Sequence, residues 1–228
     1  MASGNHPPNQ RRGNPRITAI IFDADGVVID SEGRWDRAQE KFARGHGLPY
    51  ERQKLKALLA GRSQAEAVAI LKAEYGIAGD TESLANERME LVKREFERGV
   101  EFVPGFREFF HRIQADYKTC IATSMPEELL AIVDARLGLS RLFGRKIFSL
   151  TAVGYRSKPN PDIFLHAASQ LGAEPVNCLV IEDAPNGIEA AHRAGMKCVG
   201  LTTTFDRETL SRASLVVDAF KDIDPARF

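Results

Sequence analysis

The first sharp break in the apolar pattern comes early. Ile17-Thr18-Ala19-Ile20-Ile21-Phe22 is a β-prone, nearly all-apolar run, and it stops at Asp23-Ala24-Asp25-Gly26. The pattern predicts a buried strand that delivers two carboxylates at its end. From residue 33 to about 98 the rhythm is helical. A helix is expected over 34–45, stopped by Gly45 and Gly47 with Pro49 close behind. A short second helix covers 52–59. Ser63 and Glu66 form a capping-box pair opening a third, carried through Tyr75 by Ala67, Ile70, Leu71 and Ala73 and stopped at Gly76. A fourth is expected over 81–98, with Leu84, Met89, Leu91, Val92 and Phe96 supplying most of an apolar stripe.

After Val103-Pro104-Gly105 strand and helix patterns alternate. Helices are predicted over 106–115, 127–137, 161–171 and 207–213, and around 188–194. Strands are predicted over 119–123, 146–149, 178–181, 199–201 and 215–217. Such alternation implies an α/β fold, a parallel sheet with helices on both faces, interrupted after its first strand by a four-helix insertion. In such sheets ligands sit beyond the carboxyl ends of the strands. Polar residues gather at those ends: Asp23 and Asp25, Thr123 and Ser124, Glu182 and Asp183.

Composition adds exclusions. Lysine plus arginine and aspartate plus glutamate balance at 31 each over 228 residues, so no global field draws nucleic acid or an anionic membrane. Cys120, Cys178 and Cys198 each lie in or beside an apolar run, without C-x-x-C spacing; reduced core thiols are expected, rather than disulfides or a zinc site. No stretch approaches the roughly 20 apolar residues of a membrane span. The stretch 1–16 is polar and acid-free, carries Arg11, Arg12 and Arg16, and lacks the apolar core of a secretory signal. It is expected as a disordered tail on a cytoplasmic protein, a monomer or small homo-oligomer.

The strand-end residues suggest a chemistry. Asp23, the first acid after the strand, suits a nucleophile attacking phosphorus, and Asp25 the acid that protonates the leaving oxygen and then the base that activates water. Thr123 and Ser124 offer hydroxyls to a phosphoryl oxygen; the alternative is a cap on the helix after Pro126, and both roles can hold at once. Lys158, stiffened by Pro159 and Pro161, would offset negative charge; its alternative is a solvated loop lysine. Glu182 and Asp183 suit a hard cation such as Mg2+, against a helix-capping role for Asp183. Trp35 and Arg62 are candidate substrate contacts, against core packing and a solvated arginine.

Taken in order, these motifs resemble the haloacid dehalogenase superfamily. Asp23-Ala24-Asp25-Gly26-Val27-Val28-Ile29-Asp30 looks like its first motif, Thr123 the second, Lys158 the third, and Glu182-Asp183-Ala184-Pro185-Asn186-Gly187 the fourth. The insertion is similar to the small helical cap of the β-phosphoglucomutase-like branch. The resemblance implies a Rossmann-like core over 17–31 and 104–228, a cap over 32–103, a phosphoaspartate at Asp23, and Mg2+ bound by Asp23, the Asp25 carbonyl and Asp183, with Glu182 acting nearby or through water. Trp35 stands where many members of the branch carry a histidine, and in Gly61-Arg62-Ser63-Gln64 the position of the mutases' cap arginine is taken by Gln64, with Arg62 inside the Gly-x-Ser stretch instead. The expectation is therefore a phosphatase acting on a small phosphorylated metabolite. A phosphosugar mutase is the alternative, and a non-enzymatic phospho-receiver module the third reading.

Overall fold

The computed structural model describes residues 16–228; the tail expected over 1–16 lies, apart from Arg16, outside the described residues. The first strand, β1, runs over Ala19–Phe22, and all four of its residues are buried. A strand apolar on both faces belongs inside a parallel sheet covered on both sides. The others in that sheet are β4 (Lys118–Ala122), β5 (Ile147–Phe148), β6 (Cys178–Glu182), β7 (Lys197–Leu201) and β8 (Leu215–Val217). Their order is β5-β4-β1-β6-β7-β8, parallel throughout. Phe22 pairs with Ile121 on one side and Ile181 on the other, so β1, β4 and β6 end side by side.

Alternate side chains of β1 feed two cores. Ile20 and Phe22 join one, where Phe22 meets Phe106 edge-on at 5.6 Å and Phe143 at 5.9 Å between ring centroids. Ala19 and Ile21 join the other, together with Cys120, Cys178, Val180, Cys198, Phe164 and Ile188. The cysteines are free and buried. Helices α5 (Phe106–Ile113), α6 (Glu127–Leu137), α7 (Leu139–Phe143), α8 (Asp162–Leu171) and α9 (Pro185–Arg193) flank the sheet.

Between β1 and α5 the chain runs out and back through a two-stranded antiparallel ribbon, β2 (Ile29–Asp30) with β3 (Glu101–Phe102). Between these strands lie α1 (Glu32–Gly45), α2 (Arg52–Leu59), α3 (Gln64–Tyr75) and α4 (Thr81–Glu97). They close over their own core of Phe42, Leu55, Leu59, Val68, Leu71 and Leu84. The capping box is present: Ser63 Oγ accepts from the Glu66 N–H and Glu66 Oε2 from the Ser63 N–H. Gly76 ends α3 in the left-handed region at φ +67°, which glycine adopts without a Cβ clash.

The structure corrects the sequence reading in places. No helix spans 207–213: those residues form consecutive turns, begun by Asp206 Oδ1 accepting from the Thr209 N–H at 2.8 Å. Leu210 is the one buried side chain there, too little apolar anchorage to hold a short helix. α1 opens at Glu32, two residues before its expected start. β2 and β3 went unpredicted because two residues cannot display an alternating pattern.

Candidate active site

The sheet register assembles the site. Asp23 follows β1, and its N–H continues the ladder to the Ile181 carbonyl at 3.0 Å. Thr123 follows β4, its N–H bonded to the Phe148 carbonyl at 3.0 Å. Glu182 ends β6 and Asp183 follows it. Lys158 arrives from the loop before α8, where Asn160 donates from N and from Nδ2 to the Ser157 carbonyl, both at 2.9 Å. Its side chain is 1% exposed. The ammonium donates to Asp23 Oδ1 and, at 2.6 Å, to Glu182 Oε1, and it sits 4.8 Å from the centre of the Phe164 ring.

Two glycines make room for the acids. Gly26 has φ +70°, and a Cβ there would overlap Asp183 Oδ2. A Cβ on Gly187 would overlap Glu182 Oε1, so α9 can start against that carboxylate only as glycine. Glu182 Oε2 accepts the N–H groups of Asp183 at 2.8 Å and Ala184 at 2.9 Å.

Burial sets the electrostatics. Asp23 is pushed up to about 7, chiefly by desolvation, with the Lys158 charge opposing and Glu182 and Asp25 adding repulsion. Asp25 is raised by burial against hydrogen bonds from Ser31 Oγ (2.5 Å) and Trp35 Nε1 (2.7 Å). Asp183 is raised well above its ordinary range by burial and by the charges of Glu182 and Asp23. For Lys158 burial alone would lower the pKa, but Asp23 and Glu182 together raise it. Lys158 thus pairs with Asp23 and Glu182 while Asp25 and Asp183 lie beside them, an all-oxygen set short of positive charge. That set fits a hard divalent cation. Among the described residues no three His, Cys, Asp or Glu side chains form a ready-made cage; Mg2+ is typically held by one or two carboxylates together with water and phosphate oxygens.

A cavity of about 140 Å³, open at its mouth, rises from these acids toward α1–α4. Asp23, Asp25, Thr123, Ser124, Lys158, Glu182 and Asp183 line it together with Trp35 and Arg62. Trp35 combines packing and polar contact: its ring meets Phe96 edge-on at 5.6 Å while its N–H reaches Asp25. The Ser124 hydroxyl donates to the Gly61 carbonyl at 2.9 Å, and Thr123 Oγ1 accepts the Met125 N–H at 3.0 Å. Asn186 Nδ2 donates to the Ala60 carbonyl at 2.9 Å, and Ser157 Oγ to Glu66. The loop Ala60-Gly61-Arg62-Ser63 and the start of α3 are therefore fastened to three loops of the sheet edge.

Sequence reasoning missed Ser31, Asn186 and Arg88. Ser31 is fully buried beneath Asp25. Arg88 interrupts the spacing Leu84, Arg88, Val92, Phe96 on α4, and that interruption of an apolar stripe was a readable signal.

The chain belongs to the haloacid dehalogenase-like hydrolase family, whose model matches residues 17–195. It is 34% identical over 209 residues to the validoxylamine A 7'-phosphate phosphatase of Streptomyces hygroscopicus subsp. limoneus, covering 91% of this chain and 95% of that one. It is 30% identical over 214 residues to hexitol phosphatase A of Escherichia coli, covering 91% and 94%. Among solved structures, a haloacid dehalogenase-like protein from Agrobacterium tumefaciens superposes with a TM-score of 0.75 at 28% identity, over 90% of this chain and 95% of that chain.

Proposed function

We propose that this protein is a Mg2+-dependent phosphatase that hydrolyses a small phosphorylated metabolite, a sugar phosphate or similar phosphomonoester, through a phosphoaspartate at Asp23. The observation that carries the reading is the different partnering of two carboxylates in one cavity: Asp23 is ion-paired with Lys158, while Asp25 is held by the neutral donors Ser31 and Trp35. Environments that separate two acids in this way divide the roles of nucleophile and proton carrier. Relatives named as sugar-phosphate and polyol-phosphate phosphatases support the same class.

In the first step an Asp23 oxygen attacks phosphorus, the ester bond breaks, and the leaving oxygen takes a proton from Asp25. In the second, Asp25 takes a proton from water as that water attacks the phosphoaspartate, releasing inorganic phosphate and restoring Asp23. Lys158 offsets the charge of Asp23 and Glu182, and the Thr123 hydroxyl can donate to a phosphoryl oxygen. Mg2+ would be held by Asp23, the Asp25 carbonyl and Asp183, and when bound supplies positive charge to the phosphoryl oxygens. Glu182, with its oxygens taken by Lys158 and two backbone N–H groups, orients the lysine rather than ligating the ion. The helices α1–α4 form the cap that covers the reacting groups.

Phosphate release from a panel of phosphomonoesters, with and without Mg2+ and in 18O-labelled water, tests the reading. Label in the released phosphate is expected. Conversion of a hexose 1-phosphate to its 6-phosphate faster than phosphate release would replace the phosphatase with the mutase.

A further inference from the structure

Resting on the phosphatase reading, we propose that Arg88 recognises a second anionic group on the leaving-group portion of the substrate, so that the preferred substrates are phosphomonoesters carrying a carboxylate or a further phosphate. Arg88 lines the same cavity as Asp23 and is 3% exposed. A guanidinium removed from water normally has a carboxylate partner, because burying the charge alone is costly. Among the described residues none lies within ion-pair distance of Arg88, and residues 1–15 contain no Asp or Glu. Its partners are neutral: Nη1 donates to Gln64 Oε1, and the guanidinium lies 5.6 Å from the centre of the Trp35 ring. Its Nε–H is buried with no acceptor. Burial, with no carboxylate opposing it, draws its pKa down to about 10. The cavity thus holds a charge whose counter-ion the described protein does not supply.

Position decides which part of a substrate would supply it. The phosphoryl end is fixed by Asp23, Lys158 and Thr123. Trp35 stands between that end and Arg88, with its N–H on Asp25 and its ring under the guanidinium. A group reaching Arg88 must therefore project past Asp25, the acid that serves the leaving oxygen. Arg62, two residues before the Gln64 that Arg88 contacts, also lines the cavity, and its Nε is likewise buried without an acceptor. The planar fork of an arginine matches a carboxylate or a phosphate, whereas a hydroxyl leaves its charge uncompensated.

The test compares matched esters on the wild-type enzyme: 6-phosphogluconate against sorbitol 6-phosphate, and fructose 1,6-bisphosphate against fructose 1-phosphate. A charge-assisted pair predicts kcat/KM at least ~10-fold higher for one anionic member of a pair; which pair responds tells carboxylate from phosphate. Arg88→Met should bring that ratio close to one, and Arg88→Lys should restore part of it. Equal kcat/KM within both wild-type pairs overturns the inference, whether or not the variants fold. The same esters titrated calorimetrically into Asp23→Asn protein read discrimination without turnover. Selective binding to this variant, with no phosphate release from any of the esters by the wild-type enzyme, would reject the phosphatase reading alone, and unselective binding would reject the role of Arg88.

Discussion

The Trp35 indole donates a 2.7 Å hydrogen bond to Asp25 Oδ1, the same oxygen that accepts from Ser31 at 2.5 Å. Both bonds favour the carboxylate over the acid, so removing one should raise the Asp25 pKa. Trp35→Phe keeps the ring against Phe96 and deletes the donor. Its kcat is expected to fall roughly 10- to 100-fold, the worth of a hydrogen bond to a charged group. The limb of the pH–rate profile that reports Asp25 should move to higher pH. A profile superimposable on that of the wild type would remove Trp35 from any role in tuning the acid.

Asp23→Asn should lower kcat by at least ~10³-fold, since an amide cannot form the acyl phosphate. The same substitution should be visible without substrate. In metal-free protein the Asp23 pKa is raised from 3.8 to about 7. The folded state then holds a proton that the unfolded chain has released, so this group's contribution to stability declines as pH rises from about 4 to 7. Melting curves in EDTA should show Tm falling across that window, and Asp23→Asn should flatten the decline. Added Mg2+ should raise Tm most at the upper end.

Removal of the metal should abolish turnover. EDTA is expected to stop phosphate release and Mg2+ to restore it, because the all-oxygen donors around Asp23 and Asp183 suit a hard ion. Full activity after exhaustive chelation, or rescue by Zn2+ alone, would contradict the assignment.

The fastenings Ser124–Gly61, Asn186–Ala60 and Ser157–Glu66 join the helical segment to the sheet edge. Each neutral bond is worth about 0.5–1.5 kcal/mol, and those to the Glu66 carboxylate somewhat more. Asn186→Ala with Ser157→Ala should therefore raise KM by roughly tenfold while lowering kcat less, by disfavouring closure over substrate. Small-angle scattering should show a larger average radius for the double variant. Unchanged KM and scattering would mean that these bonds do not hold the closed form.

The parallel strands and the site's polar clusters were legible because such strands advertise themselves: β1, β4 and β6 carry apolar runs that give way to Asp23, Thr123 and Glu182-Asp183 at their carboxyl ends. The third-helix boundaries were equally plain, since Ser63, Glu66 and Gly76 each act through local backbone chemistry. What stayed hidden depends on distance in sequence. Nothing near Ser157 in the chain marks Glu66, 91 positions away, as its partner. Gly26 and Gly187 look like ordinary turn glycines until Asp183 and Glu182 are seen lying against them. The false helix at 207–213 had helix-tolerant residues but a single buried anchor, and tertiary burial outweighed propensity.

The three cysteines sit on neighbouring strands around β1, in the sheet layer backed by α8 and α9, and all are closed to solvent. Burial lifts all three thiols above their ordinary pKa, which suppresses the reactive thiolate as well. An alkylating reagent can therefore reach them only when that layer opens, and the helical segment, which contains no cysteine, contributes no signal. Modification rates would therefore time the opening of the sheet layer alone, with no contribution from the helical segment.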